Sequence, residues 1–495
     1  MFEGKMMSQS AVDEKNNKAP VIGWEKTTPV PDGYFFNDYL VARDGRLFMD
    51  GLDLAQLLTD YGNDQGLGGV LPSPLEIVYL PLIRRQIKRM RGYFGRAAEE
   101  VGYAGRFLYA YASKANAAEE VVRTTLSAGA HHEMSSTIDV DIARIMIDRG
   151  LLPPDRLLIC NGFKPPGSAY MENIIRIRDE HAHVIPVLEE MDELAPLILS
   201  GKPFDVGLRQ KTYGKNLTTK EMEAVNSRFG LNTEQIWKTA DYIDAAPNLQ
   251  LRLYHAMVGS QMPDEASFVD YLRPGMEVYA QLRRRYPSLE IFDFGGGMPA
   301  AMTRDFEFDY QAFAAELLAA LQEVCHRYGV PVPDVMGELG RYTTAAHGAH
   351  LFTVISVKDN GSDLPWYIID GSIMTSFPDS WALGEHFICL PLNHLGEPFQ
   401  QVQLGGITCD SDDVYPPKKS SSVLYLPAGG EGQRLGFFGI GAYQEMLGGV
   451  RGSKHCVLPE ANELLVDRDA ESALYFEIIR GQTPDDVLNN LGYRS

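Results

Sequence analysis

RFLYAYASKANAAEEVVRTTLSAGAHHEMSS, residues 106 to 136, carries the reading that decides the fold. Arg106–Ser113 is a short run rich in aromatic and small apolar residues, as a buried strand requires. Ala117–Ser127 has the spacing of an amphipathic helix, and Ala130–Ser135 returns to the strand texture. Strand, helix and strand in so short a stretch imply a parallel crossover, because parallel neighbours need a long connection. Working outward, the same texture recurs at Arg156–Gly162, His183–Glu189, Phe204–Gln210, Gln250–Val258, Leu289–Phe294 and Asp334–Leu339. Helix-like stretches between them include Val140–Arg149, Met171–Glu180, Phe268–Arg285 and Tyr310–Tyr328. Eight such units in this span predict an α/β fold, a (β/α)8 barrel.

Beyond the barrel the texture changes. His350–Val357, Trp366–Asp370 and Gln401–Asp410 are strand-like runs broken by Gly and Pro, which predicts a C-terminal β-domain over 343–495. Gly33–Asp50 also reads as strand and turn, so residues 21–71 are expected to add to that domain. Pro72–Glu99 reads as helical and opens a barrel domain over 72–342. Lys418–Gly432, rich in Ser and Gly, is expected to be a mobile loop, and residues 1–20 a disordered tail.

The chain has 495 residues, 45% of them hydrophobic and 22% charged, which suits a globular protein of about two domains. Its net charge of −21 disfavours nucleic acid and anionic membranes as partners. The five cysteines, Cys160, Cys325, Cys389, Cys409 and Cys456, show no metal-ligand spacing and no disulfide framework. With no apolar leader and no long apolar run, a cytoplasmic location is expected and no metal is called for.

In a barrel of this kind chemistry sits at the C-terminal ends of the strands. Those ends are Lys114, Glu133–Ser136, Asn161, Arg209, the Gly259-Ser260-Gln261 turn, the Gly295-Gly296-Gly297 turn, and Glu338 to Arg341. The glycine triplet lets backbone N–H groups approach an anion, and Arg341 can add a charged hydrogen bond. A lysine deep in such a mouth can form a Schiff base. Taken singly, each has a plainer reading: a glycine-rich turn, a solvated lysine, a salt-bridging glutamate. Together, phosphate cradle, lysine and acid are what pyridoxal 5'-phosphate needs.

The motifs resemble the fold-type III pyridoxal-phosphate decarboxylases, which act on arginine, ornithine and diaminopimelate. Tyr111-Ala-Ser-Lys114-Ala-Asn116 is similar to the family's cofactor-lysine motif, and Ile159-Cys-Asn-Gly-Phe-Lys164 and Glu338-Leu-Gly-Arg341 match two further signatures. Ser376-Phe-Pro-Asp-Ser-Trp381, Ile407-Thr-Cys-Asp-Ser-Asp412 and Leu435–Leu447 are similar to biosynthetic arginine decarboxylases. The resemblance implies an alanine-racemase-like barrel and a decarboxylase of a basic or diamino acid. In it Lys114 holds the cofactor and Glu338 pairs with the pyridine nitrogen. Ser260, Gly295, Gly296, Gly297, Arg341 and Tyr443 bind the phosphate, with Glu133 near the lysine and Arg209 near the phenolic side. Cys409 returns a proton after carbon dioxide leaves, Asp410 meets the distal end of the substrate, and Asp379 is a weaker candidate for the same task. The family's Cys-Asp pair enters from a partner subunit, which implies a homodimer with shared active sites.

The sequence departs from the family at the ring-stacking histidine, whose place is taken by Met257. Either Met257 covers the ring, the preferred reading, or a bulge brings His255 there. The chain also lacks extra helical regions of the longer arginine decarboxylases and has a longer segment at Lys211–Arg228. Three alternatives follow: another carbanion reaction such as racemisation, decarboxylation of a specialised or carrier-linked amino acid, and an inactive regulatory homologue. Racemases of this barrel type place an arginine where Glu338 stands, and the retained Lys114, Glu338, Arg341 and Cys409 speak against an inactive protein.

Overall fold

The computed structural model describes residues 19–64, 73–211, 228–359, 361, 363–469 and 473–493. All but the last two residues of the expected tail, and most of the segment after the fifth strand, lie outside the described residues. The chain divides into two compact units, one of Tyr79–Ala300 with Glu307–Ala346, the other of Met1–Val78, Ala301–Phe306 and His347–Ser495.

The first unit is a closed barrel of eight parallel strands. They are β1 (Phe107–Ala112), β2 (His131–Met134), β3 (Leu158–Cys160), β4 (Val184–Leu188), β5 (Phe204–Arg209), β6 (Leu249–His255), β7 (Ile291–Asp293) and β8 (Asp334–Glu338). Closure comes from β8 on β1, with Val335 opposite Phe107 and Glu338 opposite Ala110. Ala110, Ile159, Ile185, Val187, Leu253, Ile291 and Met336 fill the interior, so the barrel is a packed core. The helices start where short polar side chains satisfy free backbone N–H groups. Ser136, Ser168, Asn232, Asp264 and Asp309 each accept a hydrogen bond from the first turn of the helix that follows.

Pro72–Glu99 is not helical throughout. Leu75–Tyr79 is a strand, antiparallel to Gly348–Lys358, and the helix begins only at Pro81. The Glu-Ile-Val-Tyr run favours the pleated conformation, and a proline at the first helical position sets where the helix can begin. This strand therefore belongs to the second unit.

That unit is built on a ten-stranded mixed sheet and a three-stranded antiparallel sheet of Leu40–Arg43, Arg46–Met49 and Leu52–Asp53. Its core gathers Phe352, Tyr367, Phe377, Phe387, Tyr415 and Phe437 among other fully buried side chains. Lys418–Gly432 is not simply a loop: Leu424–Pro427 pairs antiparallel with Phe399–Val402. Leu424 and Leu426 bury on the inner face while the Ser and Gly residues flank them, so composition over the whole window hid a short strand.

Candidate active site

Lys114 follows β1 in a tight turn, Ser113–Ala115, whose Ser113 hydroxyl donates to the Glu133 carbonyl and to the Asp139 carboxylate. The turn lifts the lysine to the mouth, where its Nζ lies 3.3 and 3.4 Å from the two carboxylate oxygens of Glu133. Glu133, at the end of β2, is fully buried. Asn161, just past β3, donates from its amide nitrogen to Glu133 at 2.9 Å and to Glu338 at 2.6 Å. One amide thus joins two buried carboxylates from opposite parts of the chain. Burial, followed by the charge of Glu133, pushes Glu338 up to about 7.

Glu338 also faces His255 at the end of β6, with 3.7 Å between His255 Nε2 and the carboxylate. Burial, then the charges of Arg209 and Lys114, hold the imidazole well below its usual range, so its ring is neutral. Neither ring nitrogen has a hydrogen-bond partner among the described residues. Asp293 completes a buried trio whose ligand-type atoms lie within 4.8 Å of one another, and its carboxyl is pushed well up by burial and by Glu338. Asp293 Oδ1 accepts from Gly295 N at 2.8 Å, which fixes the start of the glycine turn.

The glycine turn requires its glycines. A Cβ on Gly295 would lie 2.7 Å from His255 Nε2 and 2.9 Å from Met257 Sδ. One on Gly297, at φ +93°, would lie 2.7 Å from the Gly259 carbonyl. Both His255 and Met257 therefore pack against Gly295, and the same His255 nitrogen also faces Glu338. The irregularity in the β5–β6 register falls at Leu251–Leu253, before either residue. Ser260 is exposed on the turn after β6, and Arg341 opens the short helix Arg341–Thr344 after β8. A glycine cradle, a mouth lysine and a buried acid of raised pKa fit a phosphate-bearing aldehyde with a basic ring nitrogen.

Residues 82–345 match the family described as "Pyridoxal-dependent decarboxylase, pyridoxal binding domain". The chain belongs to the pyridoxal-dependent decarboxylases. Its cofactor is pyridoxal 5'-phosphate and it is a carboxy-lyase of amino acids. Among its relatives, arginine decarboxylase 1 of Oryza sativa subsp. japonica is 25% identical over 91% of this chain and 82% of its own length. The biosynthetic arginine decarboxylase of Alkalilimnicola ehrlichii is also 25% identical, over 89% and 86%. Of solved structures, the biosynthetic arginine decarboxylase of Campylobacter jejuni superposes with a TM-score of 0.78 at 20% identity, covering 92% of this chain and 91% of that one. A diaminopimelate decarboxylase from M. jannaschii gives 0.75 at 21% identity, covering 92% and 98%. At such identities the superpositions speak to the fold, an alanine-racemase-like barrel with a separate sheet domain.

The remaining site candidates of this decarboxylase are placed differently from those at the centre of the mouth. Arg209, at the end of β5, is ion-paired at 2.5 Å with the buried Glu189 and lies over the Phe229 ring. Glu189 also accepts from Gly230 N at 2.8 Å. Lys164, part of a matched signature, is fully buried, 3.1 Å from Glu193 and hydrogen-bonded to the Val187 carbonyl, so it pins the barrel wall. In the sheet unit, Tyr443 has φ +69° at the start of the Gln444–Gly448 turn. Asp379 is 2% exposed and is bound by the Gln444 side chain, which donates to its carboxylate at 2.8 Å. Its carboxylate is thus held by the residue next to Tyr443.

Cys409 and Asp410 are presented by the 406–413 loop. Asp413 organises that loop by accepting from Met374 N and from the Thr408 hydroxyl at 3.1 and 2.7 Å. Cys409 is exposed, 3.8 Å from Cys456 Sγ, and Asp410 lies 3.6 Å from His455 Nε2. Among the described residues, no helix is long and apolar enough to cross a membrane. The strand-end rule named Asn161 without giving it a role, and the fourth run already ended at Glu189. Asp413 and Cys456 carried no comparable signal.

Proposed function

We propose that this decarboxylase acts on a basic amino acid of the arginine type, as a homodimer in which each subunit completes its partner's site. Lys114 would attach the cofactor, with Glu133 holding its amino group once the substrate amine has displaced it. The glycine turn, Ser260, Arg341 and Tyr443 would grip the phosphate. Bound pyridoxal phosphate supplies the sink for the electron pair left when the substrate carboxylate departs as carbon dioxide. Glu338 would keep the ring nitrogen protonated, and the observation that carries the reading is its buried place at the mouth, held by the amide of Asn161. A carboxylate there strengthens with the positive charge beside it, whereas a racemase's arginine would not.

Met257 would cover the ring as an apolar lid. Arg209, already committed to Glu189, would act by shaping the wall on the phenolic side. Cys409 would return the proton to the α-carbon. An exposed thiol is mostly protonated at neutral pH, as a donor must be. Asp410 would meet the cationic end of the substrate. The substrate class rests on that half-buried acid beside the proposed proton donor and on the named activity of the relatives.

The test is a mass-spectrometric screen of the loaded enzyme against arginine, ornithine, lysine and diaminopimelate. A single product lighter by carbon dioxide, from arginine, is expected. Racemised substrate without that loss would overturn the reaction, and a product from diaminopimelate alone would overturn the substrate.

A further inference from the structure

The five cysteines fall into two chemical classes. Cys160, Cys325 and Cys389 are buried, and burial pushes Cys160 up to about 12, Cys325 up to about 11 and Cys389 higher than its ordinary range. Cys409 and Cys456 are both exposed, and their sulfurs are 3.8 Å apart although 47 residues separate them in sequence. Oxidants attack accessible thiolates, so the three buried sulfurs are protected and the exposed two are not.

The contact is reinforced one residue away. Asp410 follows Cys409 and His455 precedes Cys456, and these two neighbours approach to 3.6 Å. Two adjacent residues on the 406–413 loop thus meet two adjacent residues on the His455–Val457 turn. The second segment is conformationally unusual: Cys456 has φ +55° and Val457 φ +58°, the latter costly for a β-branched side chain.

We propose that Cys409 and Cys456 form a reversible oxidation site for hydroperoxides, closing to a disulfide that withdraws the proton-bearing thiol from turnover. One thiolate attacks the peroxide oxygen. The O–O bond breaks, a sulfenic acid forms, and the departing hydroxide takes a proton to become water. The second sulfur, as thiolate, attacks the sulfenic sulfur. An S–S bond forms, hydroxide leaves and is protonated to a second water. Two thiols have lost two electrons to one peroxide. Closing to a bond of about 2.05 Å asks the sulfurs to approach by roughly 1.8 Å, a small movement for exposed loops. A thiol or dithiol reductant reverses the step by exchange.

The effect on turnover rests on the proton-donor reading of Cys409, whereas the oxidation site does not. Reduced holoenzyme, freed of reductant, is treated with hydrogen peroxide, alkylated, digested and weighed. The expected result is a cross-linked pair of peptides carrying Cys409 and Cys456, lighter by two hydrogens and released by dithiothreitol. The buried cysteines should alkylate only after denaturation. Activity should fall in step with the cross-link and return on reduction. In Cys456→Ser, basal activity should be retained, and peroxide should drive Cys409 to sulfinic acid without recovery. Independent alkylation of both cysteines after peroxide, or equal over-oxidation of Cys409 in both proteins, would overturn the site. A cross-link that leaves activity unchanged supports the site and overturns the proton-donor reading instead.

Discussion

The barrel mouth and the 406–413 loop would serve one reaction, yet they are built in opposite ways. In the mouth, Glu133, Asn161, His255, Asp293 and Glu338 are buried to 5% exposure or less, and their contacts overlap. On the loop, Cys409 is exposed, and the nearest ionisable partners of Cys409 and Asp410 stand at 3.8 and 3.6 Å. Low dielectric makes each charge in the mouth consequential, because a buried acid shifts its pKa or finds a partner. Solvent screens the loop, so its residues would supply a proton and a point of recognition without fixing the electronic state of the site. The difference teaches where the two tasks belong. Holding an electron sink needs a rigid, desolvated setting, whereas proton return needs an accessible donor that can be supplied and renewed.

The comparison breaks most sharply at Lys114. Lys114→Ala is expected to lower kcat by about a thousandfold or more, with loss of the visible absorbance of the lysine-bound cofactor. Retained absorbance would place the attachment elsewhere. Glu338→Gln should bind cofactor yet lower kcat by roughly a hundredfold, because the ring's protonation matters most as negative charge develops. Steady-state kinetics beside a cofactor titration separate the two effects, and equal losses in both would demote Glu338 to a binding group.

Gly297→Ala sharpens the same side. Its φ of +93° and the Gly259 carbonyl 2.7 Å from an added Cβ predict strain of about 1–3 kcal/mol and a weaker grip on cofactor phosphate. Cofactor titration at fixed protein concentration checks it; wild-type affinity would show that the turn does not cradle phosphate. On the loop, Cys409→Ala should slow turnover only about tenfold while cofactor binding is retained, because water can replace an exposed donor. A loss as large as that of Lys114→Ala would erase the contrast between the regions.

Solution pH probes the mouth through stability instead of turnover. Glu338 has a folded pKa of about 7 against an ordinary value of 4.5, so its contribution to stability is complete below about pH 4.5 and is lost as pH rises through 7. The melting temperature of cofactor-free Glu338→Gln, relative to wild type, should therefore climb between pH 5 and 8, by at most on the order of 3 kcal/mol in stability terms. A flat difference would mean that Glu338 is ionised throughout.

Much of the mouth was legible before any coordinates. All eight strand runs are strands, and the ends of the runs named Lys114, Glu133, the glycine triplet, Glu338 and Arg341. The β-unit was harder to read. Leu75–Tyr79 hid beside a strong helix signal, and Leu424–Pro427 hid inside a Ser/Gly-rich window, because short strands carry little periodicity of their own. Asp379 stood in a matched motif yet faces inward onto Gln444.

The sequence by itself determined the alternation of strand and helix, and through it the inventory of side chains at the barrel's C-terminal face. That is so because strand and helix periods are backbone properties expressed over a few residues. Only the tertiary structure decided that Asn161 joins Glu133, 28 residues away, to Glu338, 177 residues away. It likewise decided that His255 and Met257 both pack on Gly295, with His255 also facing Glu338, and that Cys456 meets Cys409. Those pairings, and the protonation that burial imposes on them, depend on long-range closure and on the loss of water, neither of which local spacing encodes.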